Sequence, residues 1–75
     1  MQPYKNLSGV SGVVAYEIAP ESITVRFNSG TVYRYDHHRP GAAHVAEMQR
    51  LAQAGHGLGS YISRHVGKNF AARLV

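Results

Sequence analysis

The chain has 75 residues, which is enough for one small domain. It contains no cysteine, so neither disulfide bridges nor a thiolate zinc site can stabilise it. It has no apolar run of about 18 residues to span a membrane, and its N-terminus lacks the apolar core of a secretion signal. We therefore expect a single cytoplasmic domain, residues 1–75, stabilised by a compact core.

The charge of the chain is basic. Eight lysine and arginine residues stand against four aspartate and glutamate residues, giving a formal charge of +4. A small basic domain attracts polyanions, above all nucleic acid. The positive residues are scattered along the sequence, so folding must bring them together if they form a binding surface.

Residues 1–9 have the character of a loose N-terminal leader. Pro3 and Gly9 interrupt this segment, and it shows neither the period of a strand nor that of a helix. We expect it to fray unless Tyr4 or Leu7 docks on the core.

Two segments alternate between side-chain types as strands do, residues 11–18 and residues 23–28. Pro20 lies in the turn between them. The alternation predicts one apolar face, which consists of Val14, Tyr16, Ile18, Ile23, Val25 and Phe27. The opposite face then carries Val13, Ala15, Glu17, Thr24 and Arg26. A turn of four residues pairs Ile18 with Ile23, Tyr16 with Val25, and Val14 with Phe27.

The turn at Asn28–Gly30 decides how the third strand pairs. A loop of two residues would place Val25 opposite Arg34 and mix charge into the apolar face. A loop of three residues, with Gly30 in the left-handed conformation, places Val25 opposite Tyr33 instead. Because a slip of one residue turns every side chain over, the apolar pattern favours the three-residue loop.

This register gives the third strand two different faces. Tyr33 and Tyr35 point into the core, with their hydroxyls at its rim. Arg26 and Arg34 share the opposite face with Val32.

Two helices follow the strands. Pro40 suits a first helical turn, so the first helix is predicted over Pro40–Ala54 and ends at the glycines of residues 55–57. Its apolar stripe is predicted to contain Ala42, Val45, Met48, Leu51 and Ala52.

The second helix is predicted to begin near Leu58 or Ser60 and to run to about Val66, before Gly67. Its apolar positions are Leu58, Tyr61, Ile62, His65 and Val66. Phe70 and Leu74 are expected in a last short helical turn.

These elements predict an α+β domain, a three-stranded antiparallel β-meander followed by two helices packed on one face. The predicted structural core contains Tyr16, Val25, Phe27, Tyr33, Tyr35, Leu51, Tyr61 and Ile62.

The order of these motifs resembles the KTSC domain, a small module named for the C-terminus of some lysyl-tRNA synthetases. The resemblance rests on Gly30-x-x-Tyr33-x-Tyr35 and on Gly59-x-Tyr61, and it covers about residues 9–70. The chain departs from the family pattern at Ile62 and Ser63, where the family tends to have phenylalanine and asparagine. The resemblance implies RNA binding, which has been proposed for the family from its fusion to the synthetase. It also implies a module found in bacteria and phages, and it brings no catalytic residue.

We predict a non-catalytic module that binds RNA or another nucleic acid through a basic face. Phosphate contacts need lysine or arginine side chains, and unstacked bases need aromatic faces. The residues predicted to form this face are Arg26, Arg34, Arg39, Arg64, Lys68 and Arg73.

Neither a metal nor a cofactor is predicted. The chain has five histidines, but adjacent His37 and His38 diverge on an extended chain, and no carboxylate-rich cluster completes a site. We also predict that the protein is not an enzyme, because it has no Gly-x-Ser-x-Gly motif and no paired carboxylates. The glycine-rich residues 55–59 lack the following lysine of a phosphate-binding loop.

The alternative is a protein-binding adaptor, or an inhibitor of the phage type that binds a host protein. Val13, Ala15 and Val32 are apolar residues of the predicted free sheet face, and they could form the contact of a homodimer. Exposed strand edges could also pair with a partner. The two functions differ in salt response, since only nucleic-acid binding weakens steeply through counterion release.

Overall fold

The computed structural model describes residues 1–75 and contains a five-stranded antiparallel sheet with helices on one of its faces. The strands are β1 (Gln2–Pro3), β2 (Val13–Ala19), β3 (Ser22–Phe27), β4 (Val32–Asp36) and β5 (Ala72–Arg73). They lie in the sheet in this order. The helices are α1 (Ala42–Ala54) and α2 (Leu58–Tyr61), and α2 continues into a π-helical turn (Ile62–Val66).

The predicted α+β class is confirmed, but the prediction of three strands is wrong. The chain ends add β1 and β5 as short outer strands, with Gln2 opposite Tyr16 and Arg73 opposite Tyr33. Each has only two residues, too few for an alternating pattern. Their strand conformation depends on pairing with β2 and β4, which are distant in sequence, so no local pattern predicts them.

The β3–β4 hairpin has the predicted register. Val25 lies opposite Tyr33 and Ile23 lies opposite Tyr35. Gly30 has a φ of 92°, the left-handed conformation expected of the three-residue loop. The turn therefore places the two tyrosines and the β-strand residues they pair with on the helix-covered face.

The pairing of β2 with β3 is predicted correctly at the turn and wrongly at the far end. Residue pairs Ile18–Ile23 and Tyr16–Val25 form as predicted, but Phe27 lies opposite Val13 and not opposite Val14.

A β-bulge at Val14 causes this difference, because it inserts one unpaired residue and turns the residues before it to the other face. Val13 is consequently 1% exposed in the core, whereas Val14 is 41% exposed. The carbonyl oxygen of Val14 accepts a hydrogen bond of 3.0 Å from the Tyr4 N–H. The bulge thus supplies an attachment point for the N-terminal leader.

The leader is held against the core at several points. The Tyr4 side chain is 6% exposed, and its hydroxyl oxygen accepts a hydrogen bond of 3.2 Å from the Leu58 N–H. Leu7 remains 67% exposed, although its N–H donates to the Gly55 carbonyl oxygen at 2.8 Å. Of the two side chains expected to dock, Tyr4 therefore does so and Leu7 does not.

Gly55 is the residue at which α1 ends and the leader crosses. It has a φ of 84°, and an added Cβ would lie 2.8 Å from the Cβ of Lys5. Glycine is required here both for the left-handed conformation and for the close approach.

Helix α1 begins at Ala42 and not at Pro40 as predicted. Pro40 follows a cis peptide bond and forms a bridge to Asp36, while Gly41 is the N-cap residue. The predicted buried stripe of Val45, Met48, Leu51 and Ala52 is confirmed. Ala42, predicted at its head, is exposed because it lies at the first position of the helix.

The second helix changes its winding after Tyr61. Hydrogen bonds in the π-helical turn reach one residue further than in an α-helix, so the positions that face the core shift. Ile62 and Val66 remain buried, but His65 is exposed, contrary to the predicted stripe. The last short helical turn is also absent, and Phe70 instead stacks on the ring of Tyr33 at 4.2 Å.

One core joins the sheet, the helices and the leader. Its buried members are Tyr4, Val13, Ile23, Val25, Tyr35, Val45, Met48, Leu51, Ala52, Leu58, Ile62 and Val66. Of the predicted core residues, Tyr16, Phe27, Tyr33 and Tyr61 are half-buried against this cluster, and the others belong to it.

We predict that Tyr4→Ala destabilises the domain by about 3 kcal/mol or more, because it removes a buried ring and the acceptor of the Leu58 N–H. Leu7→Ala is the matched control and should change the free energy of unfolding by less than about 0.5 kcal/mol, since Leu7 is exposed. Urea unfolding followed by circular dichroism measures both. Equal stabilities of the two variants would contradict a docked leader.

Candidate nucleic-acid interface

The sheet has one face that no helix covers. Across this open face, Ala15, Arg26 and Val32 form one row of directly opposed residues. A second row contains Glu17, Thr24, Arg34 and Ala72. Arg26 and Arg34 therefore lie on neighbouring strands in neighbouring rows, as the hairpin register predicts.

Arg26 occupies the middle of the open face, between two small apolar side chains. Ala15 is 8% exposed and Val32 is 6% exposed, although neither belongs to the core beneath the helices. The aliphatic stem of an arginine covers neighbouring apolar surface while its guanidinium group stays in water. We infer that Arg26 shields Ala15 and Val32 in this way.

The apolar patch expected on this face is therefore not exposed. Val13 was predicted there, but the bulge at Val14 moves it into the core. Ala15 and Val32 do lie on the open face, yet both are buried. The surface that remains is dominated by the guanidinium groups of Arg26 and Arg34, both exposed.

These two guanidinium groups have no partner within the protein. Arg26 and Arg34 make neither a side-chain hydrogen bond nor an ion pair, unlike Arg50, which donates to the Glu47 carboxylate at 2.6 Å. That bond also lowers the pKa of Glu47. The sheet arginines thus remain free to bind an external anion.

Arg39 lies in the turn after β4 and contacts the residue that follows Lys68. The Arg39 Nε donates a hydrogen bond of 2.9 Å to the Asn69 side-chain oxygen. The Ala71 N–H donates to the Arg34 carbonyl oxygen at 2.8 Å, so the segment after Lys68 follows the outer side of β4. The Arg39–Asn69 bond places Arg39 beside the segment that follows Lys68, and Arg34, Arg39 and Lys68 are all exposed.

Asp36 is a carboxylate close to these basic residues, and it is hydrogen-bonded to backbone N–H groups of the following turn. One of its oxygens accepts hydrogen bonds from the N–H groups of Arg39 and His38, both at 2.9 Å. These bonds, first that from Arg39, hold the pKa of Asp36 below its ordinary value, and the charges of His38 and Arg34 add to the effect. The carboxylate serves to close the turn after β4.

The remaining two predicted basic residues lie elsewhere. Arg73 is in β5, where its Nε donates to the Val75 carbonyl oxygen at 3.1 Å beside the Ser29–Thr31 turn. Arg64 is on the helix side, in a groove that includes Phe27. The structure therefore places Arg26 and Arg34 together on the open face and Arg64 on the helix side.

The open face presents no aromatic ring. Tyr35 is 1% exposed, and its burial, with a contribution from Tyr33, raises its pKa to about 12. Tyr33 is half-buried and lies between Phe70 and Phe27, with ring-centre distances of 4.2 Å and 6.0 Å. Bases cannot stack on these rings from the open face, so the arginines provide the chemistry there.

The sequence did not predict the positions of some residues on the helix side of the domain. Phe70 was expected in a helical turn, and only its contact with Tyr33 reveals its role. Ser60 and Ser63 line the same groove as Arg64, yet serine on a short helix predicts nothing by itself. The signal that could have been used is their spacing, since residues three and four apart, such as Ser60, Ser63 and Arg64, lie on one side of a helix.

The histidines do not form a metal cluster. No group of three or more histidine, cysteine, aspartate or glutamate side chains converges. His44 is hydrogen-bonded through Nδ1 to the Tyr61 hydroxyl at 2.7 Å, and the His65 ring lies 4.7 Å from the Tyr61 ring. The His44–Tyr61 bond connects α1 to the last residue of α2.

Helix α1, the longest, has 13 residues, and none of the helices has the length and apolar character needed to cross a membrane. Comparisons with protein-family models, with curated proteins and with solved structures find no match to this chain.

We predict that the domain loses stability between about pH 10 and pH 12 because of Tyr35. An unfolded chain releases a tyrosine proton near pH 10, whereas the folded domain holds the Tyr35 proton to about pH 12. The folded state binds more protons in this range, so the free energy of unfolding falls as the pH rises, by about 2 to 3 kcal/mol in total.

Urea unfolding at several pH values tests this prediction. Tyr35→Phe is the matched control, since it keeps the ring and removes the titrating hydroxyl. An identical decline in both proteins would contradict the assignment to Tyr35.

Proposed function

We propose that this protein binds RNA or another nucleic acid through the open sheet face and catalyses no reaction. The observation that supports the proposal most directly is the pair Arg26 and Arg34, adjacent on an uncovered face and free of internal partners. The KTSC resemblance of the motifs implies the same function.

The free state of these side chains favours binding to phosphate. An arginine that already holds a carboxylate must break that pair before it can bind an external anion, and Arg50 is in that position. Arg26 and Arg34 have no hydrogen bond or ion pair to break before they bind phosphate oxygens, and the release of counterions contributes to affinity. A guanidinium group can also bind two phosphate oxygens at once.

The mode of binding on this face is contact with the phosphate backbone. The face offers guanidinium groups and the Thr24 side chain but no aromatic ring, so it cannot stack on unpaired bases. Phosphate contacts fix position and do not read sequence. We therefore infer weak sequence preference and strong salt dependence for this surface.

The charge of the open face changes across the sheet, from negative at Glu17 on β2 to positive on β3 and β4. Glu17 lies in the row of Arg34 but two strands away, which is about 10 Å at the usual strand spacing. Arg39 lies on the other side, in the turn after β4, where it contacts the residue that follows Lys68. We infer that a bound polyanion follows β3 and β4 and avoids β2.

The protein-binding alternative receives no support from the same face. An adaptor or a homodimer there would need exposed apolar area at its centre. Val13 is in the core, and Ala15 and Val32 are buried. A polyanion fits this surface better than an apolar protein patch does.

We predict that the double substitution Arg26→Ala with Arg34→Ala weakens RNA binding by about tenfold or more at low salt, since each charge-assisted hydrogen bond contributes on the order of 1 kcal/mol or more. The slope of log affinity against log salt should become shallower by about 1.4, which is about 0.7 for each single-strand phosphate contact. Fluorescence anisotropy with a labelled RNA of about 12 nucleotides, at several salt concentrations, measures both quantities.

Arg50→Glu is the matched control. It lowers the net charge of the protein as much as the double substitution does, because one positive charge is replaced by a negative one. The change lies on the exposed side of α1. Equal weakening by the control would mean that net charge and not the open face determines binding. Unchanged binding of the double variant would contradict the proposed surface.

A further inference from the structure

A groove on the helix side of the domain contains Arg64, one of the two predicted basic residues that lie away from the open face. It lies between loop residues 10–12, the end of β3 at Phe27, and the helical segment 59–64. Its volume is about 390 Å³, within the usual range of small-ligand sites. Two other surface depressions are present, but one is bordered by Glu17 and the other is formed mainly by the Ser29–Thr31 turn.

The polar groups of the groove have no partners inside the protein. Ser60, Ser63 and Arg64 are three and four residues apart, and all three line the groove. Neither serine hydroxyl makes a hydrogen bond, and the Arg64 guanidinium group makes neither a hydrogen bond nor an ion pair, whereas Ser11 and Ser29 use their hydroxyls in local turns. The groove therefore holds hydrogen-bond donors and one positive charge, and none of its lining residues is acidic.

An aromatic wall stands beside these donors. Phe27 is half-buried, and its ring is held edge-on against the Tyr33 ring at 6.0 Å. Its position is fixed by the β3–β4 pairing and needs no rearrangement. The groove thus has one side with a guanidinium group and two hydroxyls and another side with an aromatic ring.

The groove is already formed in the free protein. A Cβ added at Gly59 would lie 2.9 Å from the Ser11 hydroxyl oxygen, so the loop and the helical segment are in direct contact. Ser11 is held in turn by its N–H bond to the Asn6 side-chain oxygen at 3.1 Å. Binding here would therefore require little ordering of the chain.

We propose that this groove binds one nucleotide unit, with the phosphate at Arg64, Ser60 and Ser63 and the base against Phe27. The proposal rests on the proposed nucleic-acid function, because it takes the nucleotide to be part of a bound strand. A free nucleotide in solution is the other source of the same chemistry. It adds a contact to a base, which the open face does not provide.

The position of the groove favours single-stranded over duplex nucleic acid. Arg26 and Phe27 are consecutive at the end of β3, and their side chains point to opposite faces of the sheet. A strand on the open face reaches the groove by passing round this end of β3. A flexible single strand can bend in this way and present an unpaired base, whereas an A-form duplex cannot. Single-stranded RNA should therefore bind more tightly than duplex RNA.

Amide chemical shifts of the ¹⁵N-labelled domain test the inference. The probes are uridine monophosphate, adenosine monophosphate, inorganic phosphate, a single-stranded RNA and a duplex RNA. We expect both mononucleotides and the single strand to shift the amides of Gly12, Phe27 and residues 59–64. Inorganic phosphate should shift only residues near Arg64, and more weakly.

Variants separate the groove from the open face. Arg64→Ala should weaken mononucleotide binding by about tenfold, and Ser60→Ala with Ser63→Ala by about threefold, as expected for losing charged and neutral hydrogen bonds. Arg26→Ala with Arg34→Ala should change mononucleotide affinity by less than about twofold, since those residues lie on the other face. Arg50→Ala is the charge control, and thermal unfolding midpoints verify that every variant is folded.

The possible failures are distinguishable. RNA that shifts only open-face amides would overturn the groove and leave the proposed function intact. Mononucleotide shifts in the groove without any RNA binding would overturn the proposed function and assign the groove to free nucleotides. Equal shifts from inorganic phosphate and nucleotides would overturn the base contact at Phe27. Equal affinity for duplex and single-stranded RNA would overturn the path round β3.

Discussion

The register of the β3–β4 hairpin is the constraint on which the other features depend. Gly30 adopts the left-handed conformation that closes a three-residue loop, and this loop places Tyr35 in the core. The same register turns Arg26 and Arg34 away from the helices, because neighbouring residues of a strand face opposite sides. A slip by one residue would bury guanidinium groups without partners, at a high cost in free energy. Keeping these charges in water therefore favours the same register as burying Tyr35 does.

The chain ends complete a sheet that the hairpins alone would leave open at both sides. The bulge at Val14 leaves a carbonyl oxygen for Tyr4, and Tyr4 in turn contacts the start of α2 through its hydroxyl. At the other edge, the C-terminal segment pairs with β4 and brings Phe70 onto Tyr33. These contacts cover the edges of β2 and β4, which would otherwise be free to pair with other molecules. They also position the groove and the basic edge relative to one another.

The strands, the apolar stripe of α1 and the hairpin register could be predicted, because each is encoded by a local period or by a glycine with a defined conformation. The bulge could not, since Val13 and Val14 are the same residue type and only the contact with Tyr4 distinguishes them. The π-helical turn likewise shifted His65 to solvent against a regular apolar period. For the site, the exposure of the arginines was predictable from alternation, but their grouping depends on long-range contacts such as that of Arg39 with Asn69.

The most direct test of this account is the pattern of cross-strand proton contacts in the β3–β4 hairpin by NMR. Val32 uses its N–H and carbonyl groups toward the C-terminal segment, so Arg26 and Val32 form a non-hydrogen-bonded pair with closely spaced α-protons. The account predicts strong α-proton contacts between Arg26 and Val32 and between Thr24 and Arg34. A strong contact between the α-protons of Val25 and Arg34 instead would show the slipped register and contradict the account.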